Sequence, residues 1–489
     1  MYLLLDTYNA NSKKNASPSK PLARLSIPPT VPAPAGPPAF SSRQLLELFQ
    51  QLLPRRELWK LPSLKSQRFY KRLFTPIVTL WYLLFQRLAF DHTLEAVVAD
   101  ALAGGADSLC KRLSKKLLSS ATVSYNNARQ RLPLAFLAEA LALQAAKILG
   151  WNPKARWRGL LVSLLDGSTV RLRTCGDIPK TFPPHRNQAQ IPAYWCLMRV
   201  VVCFCVHTGA ALNCALGNTN WSEQVLACQI ILSRALSPCL FIGDRNFGVF
   251  RIVQTARSAG AHVLLRMTQT RARKLLGRSL SLGQHSVDWS PTRHDQLQPG
   301  CSQAPVRGQL LAVRIKRKGF RTQTLYLFTT LPQSAQYPVE ELVNLYGVRW
   351  HIELNLRYLK AQMRLVQLEC KSAEMAQKEW LAGLMAYNLI RAAMLCAALH
   401  GGLCPLALSF SSSRRHLIIW LTHFGRSRRD CEQRWEKLLR LLSRARLPQR
   451  RKCRPAEPRA QRHIRQPYPP LIGSRREARR QLTKSPQKS

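Results

Sequence analysis

The spacing of apolar positions changes character once the chain passes residue 150. Between Ser41 and about Leu149, leucine, alanine and phenylalanine recur at helical spacing, as in the run AFLAEALALQAAKIL. After Trp151, short apolar runs alternate with helical patterns, which favours an α/β sheet. The run LLVSLLDGSTVRLR predicts two strands joined by a tight turn at Asp166-Gly167.

The same alternation continues through the middle of the chain. LMRVVVCFCVHTGAAL is typical of strands, residues 222–236 predict a helix, and the following segment predicts strand, acidic turn, helix and strand. Residues 268–335 turn polar and strand-like, with VRIKRKGFRTQTLYLFTTL resembling a hairpin, and indicate a β-rich insertion. A long helix is predicted from about Val339, and another through Trp380 to Leu399.

Both ends of the chain have a composition that does not favour a packed core. Prolines crowd residues 17–38, and arginines with prolines dominate from Arg444 onward. The predicted organisation is a Pro-rich disordered leader (1–40), a helical domain (41–150), an α/β domain (151–400) with the insertion at about 268–335, and a C-terminal helical segment with a basic tail (401–489).

The balance of charges points to a polyanionic partner. The chain has 74 Lys+Arg against 25 Asp+Glu, a formal net charge of +49, while its 46% apolar content excludes a wholly disordered chain. Neutralising phosphates releases counterions and drives association, so nucleic acid is the expected partner. The cationic segment Lys111–Pro133 is interpreted either as a solvated helix face or as a phosphate-contacting module.

Cysteine spacing and hydropathy bear on the compartment. The 14 cysteines show no C-x-x-C and no zinc-ligand spacing, which is typical of reduced thiols in a cytosolic protein. The most apolar early segment, Phe74–Phe90, is short for a bilayer crossing and contains Pro76 and Arg87. It predicts a buried core helix, and no membrane partner is expected.

Two acids stand at the ends of apolar runs. Asp166 ends LLVSLLD and Asp244 ends PCLFIGD. A carboxylate at the tip of a buried strand sits on a rigid support beside solvent, where it can hold a divalent cation. Ordinary turn chemistry is the alternative, since Asp before Gly is a common turn pair.

A third acid lies in a more specific pattern. LYGVRWHIELNLRYLK places Tyr346, Arg349, Glu353 and Lys360 on one predicted helix, within an arc of about 60°. Arg349 and Glu353 alone are explained by an i,i+4 surface pair. That explanation does not account for the phenol and the second cation on the same stripe.

The pattern Tyr-x2-Arg-x3-Glu-x6-Lys resembles the signature of the insertion-sequence-four family of bacterial DDE transposases. LLDGSTVRL and FIGDRNFG are similar to the blocks that hold the first two catalytic aspartates of that family. SYNNARQRLP, MAYNLIR and EPRAQRHIRQPYPPLI resemble its flanking sequences. Asn246 stands where some relatives carry glutamate.

The resemblance implies an RNase H-like catalytic core in which Asp166, Asp244 and Glu353 bind two Mg²⁺ or Mn²⁺ ions. Two metals of this kind activate the attacking oxygen and stabilise the leaving oxygen of a phosphodiester. Tyr346, Arg349 and Lys360 are expected to contact DNA. The cations beside the second acidic turn and at the end of the following strand are further candidates, namely Arg245 and Arg266.

The expected function is that of a cytoplasmic, nucleoid-associated bacterial transposase. Its expected partners are double-stranded DNA, as terminal inverted repeats and target, and a second copy of the chain in a synaptic homodimer. A two-metal DNA nuclease without strand transfer is one alternative. A catalytically dead DNA-binding relic is the other.

Overall fold

The computed structural model describes residues 44–447 with short gaps, and beyond them only residues 477 and 480. The gaps are 67–68, 70–72, 90, 111–118, 154, 187–191, 234–237, 278–280, 299, 316–322 and 422–427. The predicted leader, nearly all of the basic tail and the start of the cationic segment therefore lie outside the described residues.

The first part of the described chain is helical. Its helices are α1 (Gln44–Leu52), α2 (Arg55–Leu58), α3 (Pro62–Lys65), α4 (Pro76–Leu88), α5 (Leu94–Leu102), α6 (Val123–Arg131) and α7 (Leu134–Gly150). Helix α4 begins with Thr75 as its cap, which accepts a hydrogen bond from the amide of Val78. Twelve of its 13 residues are buried, so the prediction of a core helix within Phe74–Phe90 is confirmed.

A ten-stranded mixed sheet follows, with short helices between its strands. The strands are β1 (Leu161–Leu172), β2 (Pro184–Arg186), β3 (Pro192–Cys205), β4 (Ala211–Gly217), β5 (Cys239–Gly243), β6 (His262–Arg266), β7 (Gly283–Trp289), β8 (Val306–Ile315), β9 (Gln323–Thr329) and β10 (Gln367–Leu368). The helices among them are α8 (Ile178–Thr181), α9 (Glu223–Ser233), α10 (Phe250–Ser258), α11 (Gln269–Leu276) and α12 (Arg293–Gln296).

The order of the strands is β2-β3-β1-β5-β6-β9-β8-β7, with β4 beside β3 and β10 beside β1. Strands β1, β5 and β6 run parallel to one another, whereas β3, β4 and the β7–β8–β9 group pair antiparallel with their neighbours. The α/β class and the predicted β8–β9 hairpin are confirmed. Strands β7, β8 and β9 extend the main sheet rather than forming a separate one.

Strand β1 corrects the sequence-based prediction of a turn at Asp166-Gly167. The strand is continuous over 12 residues, because β3 pairs with it from Ser163 to Leu172 without interruption. Asp166 therefore lies inside a strand, beside the point where β5 ends on the opposite edge of β1. The pairing is long-range, so local turn statistics did not reveal it.

Both faces of the sheet are covered. In β3, Val200, Val202 and Phe204 enter one apolar cluster, whereas Val201, Cys203 and Cys205 enter a second one, because successive side chains point to opposite faces. The first cluster is shared with the N-terminal helices and with residues 373–400, and the second with α9 and α10. Twelve cysteines of the described residues form no disulfide.

The signature segment is not the single helix predicted from its spacing. It divides into α13 (Val339–Gly347), α14 (Trp350–Arg357) and a π-helical turn at Tyr358–Gln362. At the first junction, the amides of Val348 and Arg349 bond three residues back, which tightens the chain. The π turn then widens it, since the amide of Met363 bonds to the carbonyl of Tyr358.

The remaining helices close the structure over the sheet. They are α15 (Ala373–His400), a 3-10 turn (Pro405–Ala407), α16 (Phe410–Leu421) and α17 (Arg428–Arg444). Helix α15 packs on α4, α7 and α17. It is long and apolar enough to cross a membrane, but its apolar window is 100% buried within the protein. That burial is typical of a central core helix.

Candidate active site

Asp166 lies in β1, and Asp244 directly follows the end of β5 at Gly243. The last pair of the parallel β1–β5 ladder is Leu164 with Ile242, and each aspartate comes two residues after its member of that pair. Neighbouring strands are about 4.8 Å apart, and residues two apart share a face of the sheet. The register therefore places both carboxylates at one edge, where the parallel strands end.

Each aspartate is held by a backbone amide. Asp166 Oδ1 accepts a hydrogen bond from the amide of Gly167 at 2.8 Å, and Asp244 Oδ1 accepts one from the amide of Asn246 at 2.8 Å. The pKa of Asp166 is raised to about 6, mainly by burial and in part by the charges of Asp244 and Glu223, while the hydrogen bond from the Gly167 amide opposes the shift. A cation at this position would relieve the repulsion.

Glu353 is bonded to Arg349 on the helix that contacts β1. Helix α14 packs on β1, and Arg349 donates a hydrogen bond to Glu353 Oε1 at 2.7 Å. The Arg349 side chain is only 18% exposed, so this is not the surface pair that the i,i+4 spacing alone suggests. The charge of Arg349 also lowers the pKa of Asp166, and the guanidinium therefore links the third acid to the first.

Tyr346 and Arg266 lie on the same side of the site. Burial raises the pKa of Tyr346 to about 12, against the charges of Arg349 and Arg266, and Asp244 adds to the increase. The Tyr346 hydroxyl is buried and has no hydrogen-bond partner among the described residues. The hydroxyl therefore lies within reach of the charges of Arg349 and Arg266, which act on it.

The other two cations predicted from the sequence, Lys360 and Arg245, are less closely connected to the aspartates. Lys360 is half-buried on the π turn, and Arg245 is exposed immediately after Asp244. The carbonyl of Arg245 accepts a hydrogen bond from Arg271 at 3.1 Å. Neither Lys360 nor Arg245 is among the charges that shift the pKa of Asp166 or Tyr346.

Sequence reasoning missed one acidic residue of the site, Glu223. It is the first residue of α9 and lies half-buried against Gly167. Its charge acts on Asp166, and the charge of Asp244 acts on it in turn. Two features of the sequence could have pointed to Glu223. The chain has only 25 acids, and Glu223 lies at the start of a predicted helix.

The donor set fits an open magnesium site rather than a closed metal cage. Among the described residues, no group of three or more His, Cys, Asp or Glu side chains is arranged to hold a metal ion. Mg²⁺ usually needs only one or two protein carboxylates and takes water and substrate phosphates for the rest. Asp166 and Asp244 supply that pair, with oxygen donors of the appropriate hardness.

Comparison with known proteins relates this fold and this site to one protein family. Residues 157–389 match the family model described as Transposase DDE domain. The matched range contains the ten-stranded sheet, Asp166 and Asp244 at its edge, and Glu353 on α14. This part of the chain is therefore similar to a DDE transposase domain.

The chain is also similar to the transposase of one bacterial insertion sequence. The chain is 28% identical over 295 residues to "Transposase InsG for insertion sequence element IS4" of Escherichia coli (strain K12), a match that covers 58% of this chain and 64% of that protein. These similarities support a DDE transposase of the insertion-sequence-four type, so the resemblance seen in the sequence is confirmed. The structure is also similar to "Cryo-EM structure of piggyBac transposase synaptic complex with hairpin DNA", with a TM-score of 0.40 and 12% identity over 84% of this chain and 86% of that one.

Proposed function

We propose that the chain is a transposase that binds the terminal inverted repeats of an insertion sequence and catalyses metal-dependent DNA cleavage and strand transfer. The observation that supports this proposal is that the β1–β5 ladder ends at Leu164 and Ile242, two residues before Asp166 and Asp244, and that the charge of Asp244 acts on Asp166. Helix α14, which carries Glu353, packs on β1. Asp166, Asp244 and Glu353 are the proposed catalytic residues.

The proposed metals are two Mg²⁺ or Mn²⁺ ions, held by Asp166, Asp244 and Glu353. When bound, they would supply activation of the attacking oxygen and stabilisation of the leaving oxygen. The protein contributes rigid strand ends that orient the carboxylates. Backbone amides at Gly167 and Asn246 fix one oxygen of each aspartate, which leaves the other oxygen for a ligand.

The ion pair between Arg349 and Glu353 is proposed to open when DNA binds. Arg349 neutralises Glu353 in the free protein, where their atoms lie 2.7 Å apart. Arginine binds phosphate through a bidentate fork, so a DNA phosphate competes with Glu353 for the guanidinium. Release of Glu353 would then complete the set of three carboxylates. Tyr346 and Arg266 are proposed to bind the same strand, with Lys360 and Arg245 along its path.

The wider organisation is proposed from the topology and the charge. Antiparallel β4-β3-β1 followed by parallel β5 and β6 supports an RNase H-like core. We propose that the helical part before residue 150 and the basic tail bind DNA, and that two copies pair two DNA ends. The abundance of free thiols supports a cytoplasmic location.

A cleavage assay on supercoiled DNA with inverted-repeat ends tests the function. Asp166→Asn, Asp244→Asn and Glu353→Gln are each expected to lower cleavage by more than about 100-fold with DNA binding retained, because the metals supply several kcal/mol of transition-state stabilisation. Glu341→Gln, which removes an acid from α13 that pairs with Arg158, is the matched control and keeps wild-type activity.

The products separate the proposal from its alternatives. Joined DNA products support a transposase, whereas cleaved but unjoined products favour a two-metal nuclease. Binding by the wild-type chain with no cleavage in Mg²⁺ or Mn²⁺ favours a catalytically dead relic. Activity that survives both aspartate substitutions contradicts the assignment of the site.

A further inference from the structure

A fourth carboxylate rests against the backbone of β1. A β-carbon added to Gly167 would lie 2.2 Å from the carboxyl carbon of Glu223 and 2.3 Å from its Oε1. Real β-carbons do not approach other atoms so closely, so the absence of a side chain at position 167 is what admits the Glu223 carboxylate. The glycine beside Asp166 thus serves a close approach rather than a turn.

Glu223 is also connected to Asp244 by hydrogen bonds. Asn246 Nδ2 donates to Glu223 Oε2 at 2.6 Å, and the amide of Asn246 donates to Asp244 Oδ1 at 2.8 Å. Gln224 Nε2 holds Asn246 in place by donating to its side-chain oxygen at 2.9 Å and to its carbonyl at 3.0 Å. The acid at the start of α9 therefore fixes the turn that carries the second aspartate.

The negative charges of Glu223 and Asp244 repel each other in the free protein. Burial raises the pKa of Glu223, and the charge of Asp244 raises it further, although Arg199 and the hydrogen bond from Asn246 oppose the shift. Like charges brought together in a half-buried place destabilise the free protein. A bound divalent cation would convert this repulsion into attraction.

We propose that Glu223 is a positioning residue of the cation site, which orients Asp244 through Asn246 and adds a negative charge that strengthens cation binding at Asp166 and Asp244. This inference rests on the proposed function. Because Glu353 is held by Arg349 in the free protein, the affinity for a divalent cation without DNA depends more on Glu223 than on Glu353.

Binding of Mn²⁺ to the full chain without DNA, followed by the electron paramagnetic resonance signal of free Mn²⁺, tests the inference. Glu223→Gln keeps an oxygen acceptor for Asn246 but removes the charge, and it is expected to weaken Mn²⁺ binding about tenfold. Asn246→Ala keeps the charge but breaks the link to Asp244, and it is expected to weaken binding as well. Glu353→Gln is expected to change the affinity less than Glu223→Gln does.

The melting temperature of each variant without metal shows whether it is folded, and Glu341→Gln serves as the matched control. In cleavage assays, the Mn²⁺ concentration for half-maximal activity is expected to rise about tenfold in Glu223→Gln, with the rate at saturating Mn²⁺ retained. Wild-type Mn²⁺ affinity in Glu223→Gln overturns the inference. Wild-type affinity in Asp166→Asn overturns the proposed function instead, so the two failures are distinguishable.

Discussion

Arg391 on α15 donates a hydrogen bond to Asn355 Oδ1 at 2.6 Å, two residues beyond Glu353. The same guanidinium donates to the Tyr387 hydroxyl at 2.7 Å, and three aromatic rings lie 5.1–5.6 Å from it, those of Tyr358, Tyr387 and Phe410. Both Arg391 and Asn355 are buried. The central helix of the core therefore holds the helix that carries the third acid.

This contact gives the first prediction. Arg391→Lys replaces the two separate nitrogens that bond Tyr387 and Asn355 with a single ammonium nitrogen on a differently shaped side chain. The substitution is expected to destabilise the protein by about 1–3 kcal/mol and to reduce cleavage more than DNA binding, because the contact that holds α14 is weakened. Denaturant unfolding and the cleavage assay measure the two effects. Arg357→Lys, on the exposed side of α14, is the matched control. Equal losses in both variants contradict the anchoring role.

The buried ion pairs of Glu379 give a second prediction. This residue of α15 is contacted by Arg129 of α6 at 2.5 Å and by Arg87 of α4. Glu379→Gln leaves two buried guanidinium groups without their counter-charge and is expected to lower the free energy of unfolding by about 3–5 kcal/mol. Glu436→Gln removes the acid of an exposed i,i+4 pair on α17, in which Glu436 is 50% and Arg440 is 62% exposed, and is expected to cost under about 1 kcal/mol. Similar costs for the two variants would contradict the burial argument.

The third prediction concerns acid stability and His207, in the turn between β3 and β4. Burial lowers the pKa of His207 below its ordinary value, and its Nδ1 has no partner among the described residues. The unfolded chain therefore binds a proton more readily, so the stabilising contribution is present above pH 6.5 and is lost as the pH falls through the lowered pKa.

Melting temperatures measured between pH 7.5 and 5 test this sign. The wild-type protein is expected to lose stability on acidification, and His207→Gln, which stays neutral throughout, is expected to lose less. His285→Gln is the control, since the ring of that histidine contacts Ser281 in an exposed part of the protein. A steeper loss in His207→Gln than in the wild type refutes the prediction.

Gly167 gives the fourth prediction. The atoms that an added β-carbon would meet belong to the end of the Glu223 side chain, which can move away without displacing the backbone. Gly167→Ala is therefore expected to change stability by less than about 1 kcal/mol while weakening Mn²⁺ binding. Combined with Glu223→Gln, it is expected to add little further loss, because residues in contact are not additive. Fully additive losses would show that the two positions act separately.

The basic tail gives the fifth prediction. Residues 450–489 are rich in arginine and carry two acids, Glu457 and Glu477. Their removal is expected to weaken DNA binding and to flatten its dependence on salt, because fewer counterions are released. Binding measured between about 50 and 200 mM salt tests this. An unchanged slope would mean that the tail does not contact phosphates.

Much of the sheet and one ion pair were predictable from local pattern. The apolar runs ending at Asp166 and Asp244 are strands β1 and β5, and the hairpin of the insertion is β8 and β9. The signature spacing indicated that Arg349 and Glu353 interact, and their ion pair exists. These features depend on short-range periodicity, which the sequence carries directly.

The features that the sequence did not predict depend on distant contacts. The Asp166-Gly167 pair looks like a turn until β3 pairs along the whole of β1. The break between α13 and α14 places Arg349 at a junction, where its backbone is tightened by a bond to Tyr346. Glu223 approaches Asp166 only because α9 folds back over the sheet, which no local pattern of that helix reveals.

The register between β1 and β5 restricts which changes of sequence this protein can tolerate in evolution. Insertion or loss of one residue between Leu161 and Asp166 would turn the carboxylate to the opposite side of the sheet, since side chains alternate along a strand. Substitutions in this segment are tolerable where they preserve bulk, but a change in its length is not. The number of residues in this segment is therefore expected to be more constant among related chains than the identity of those residues.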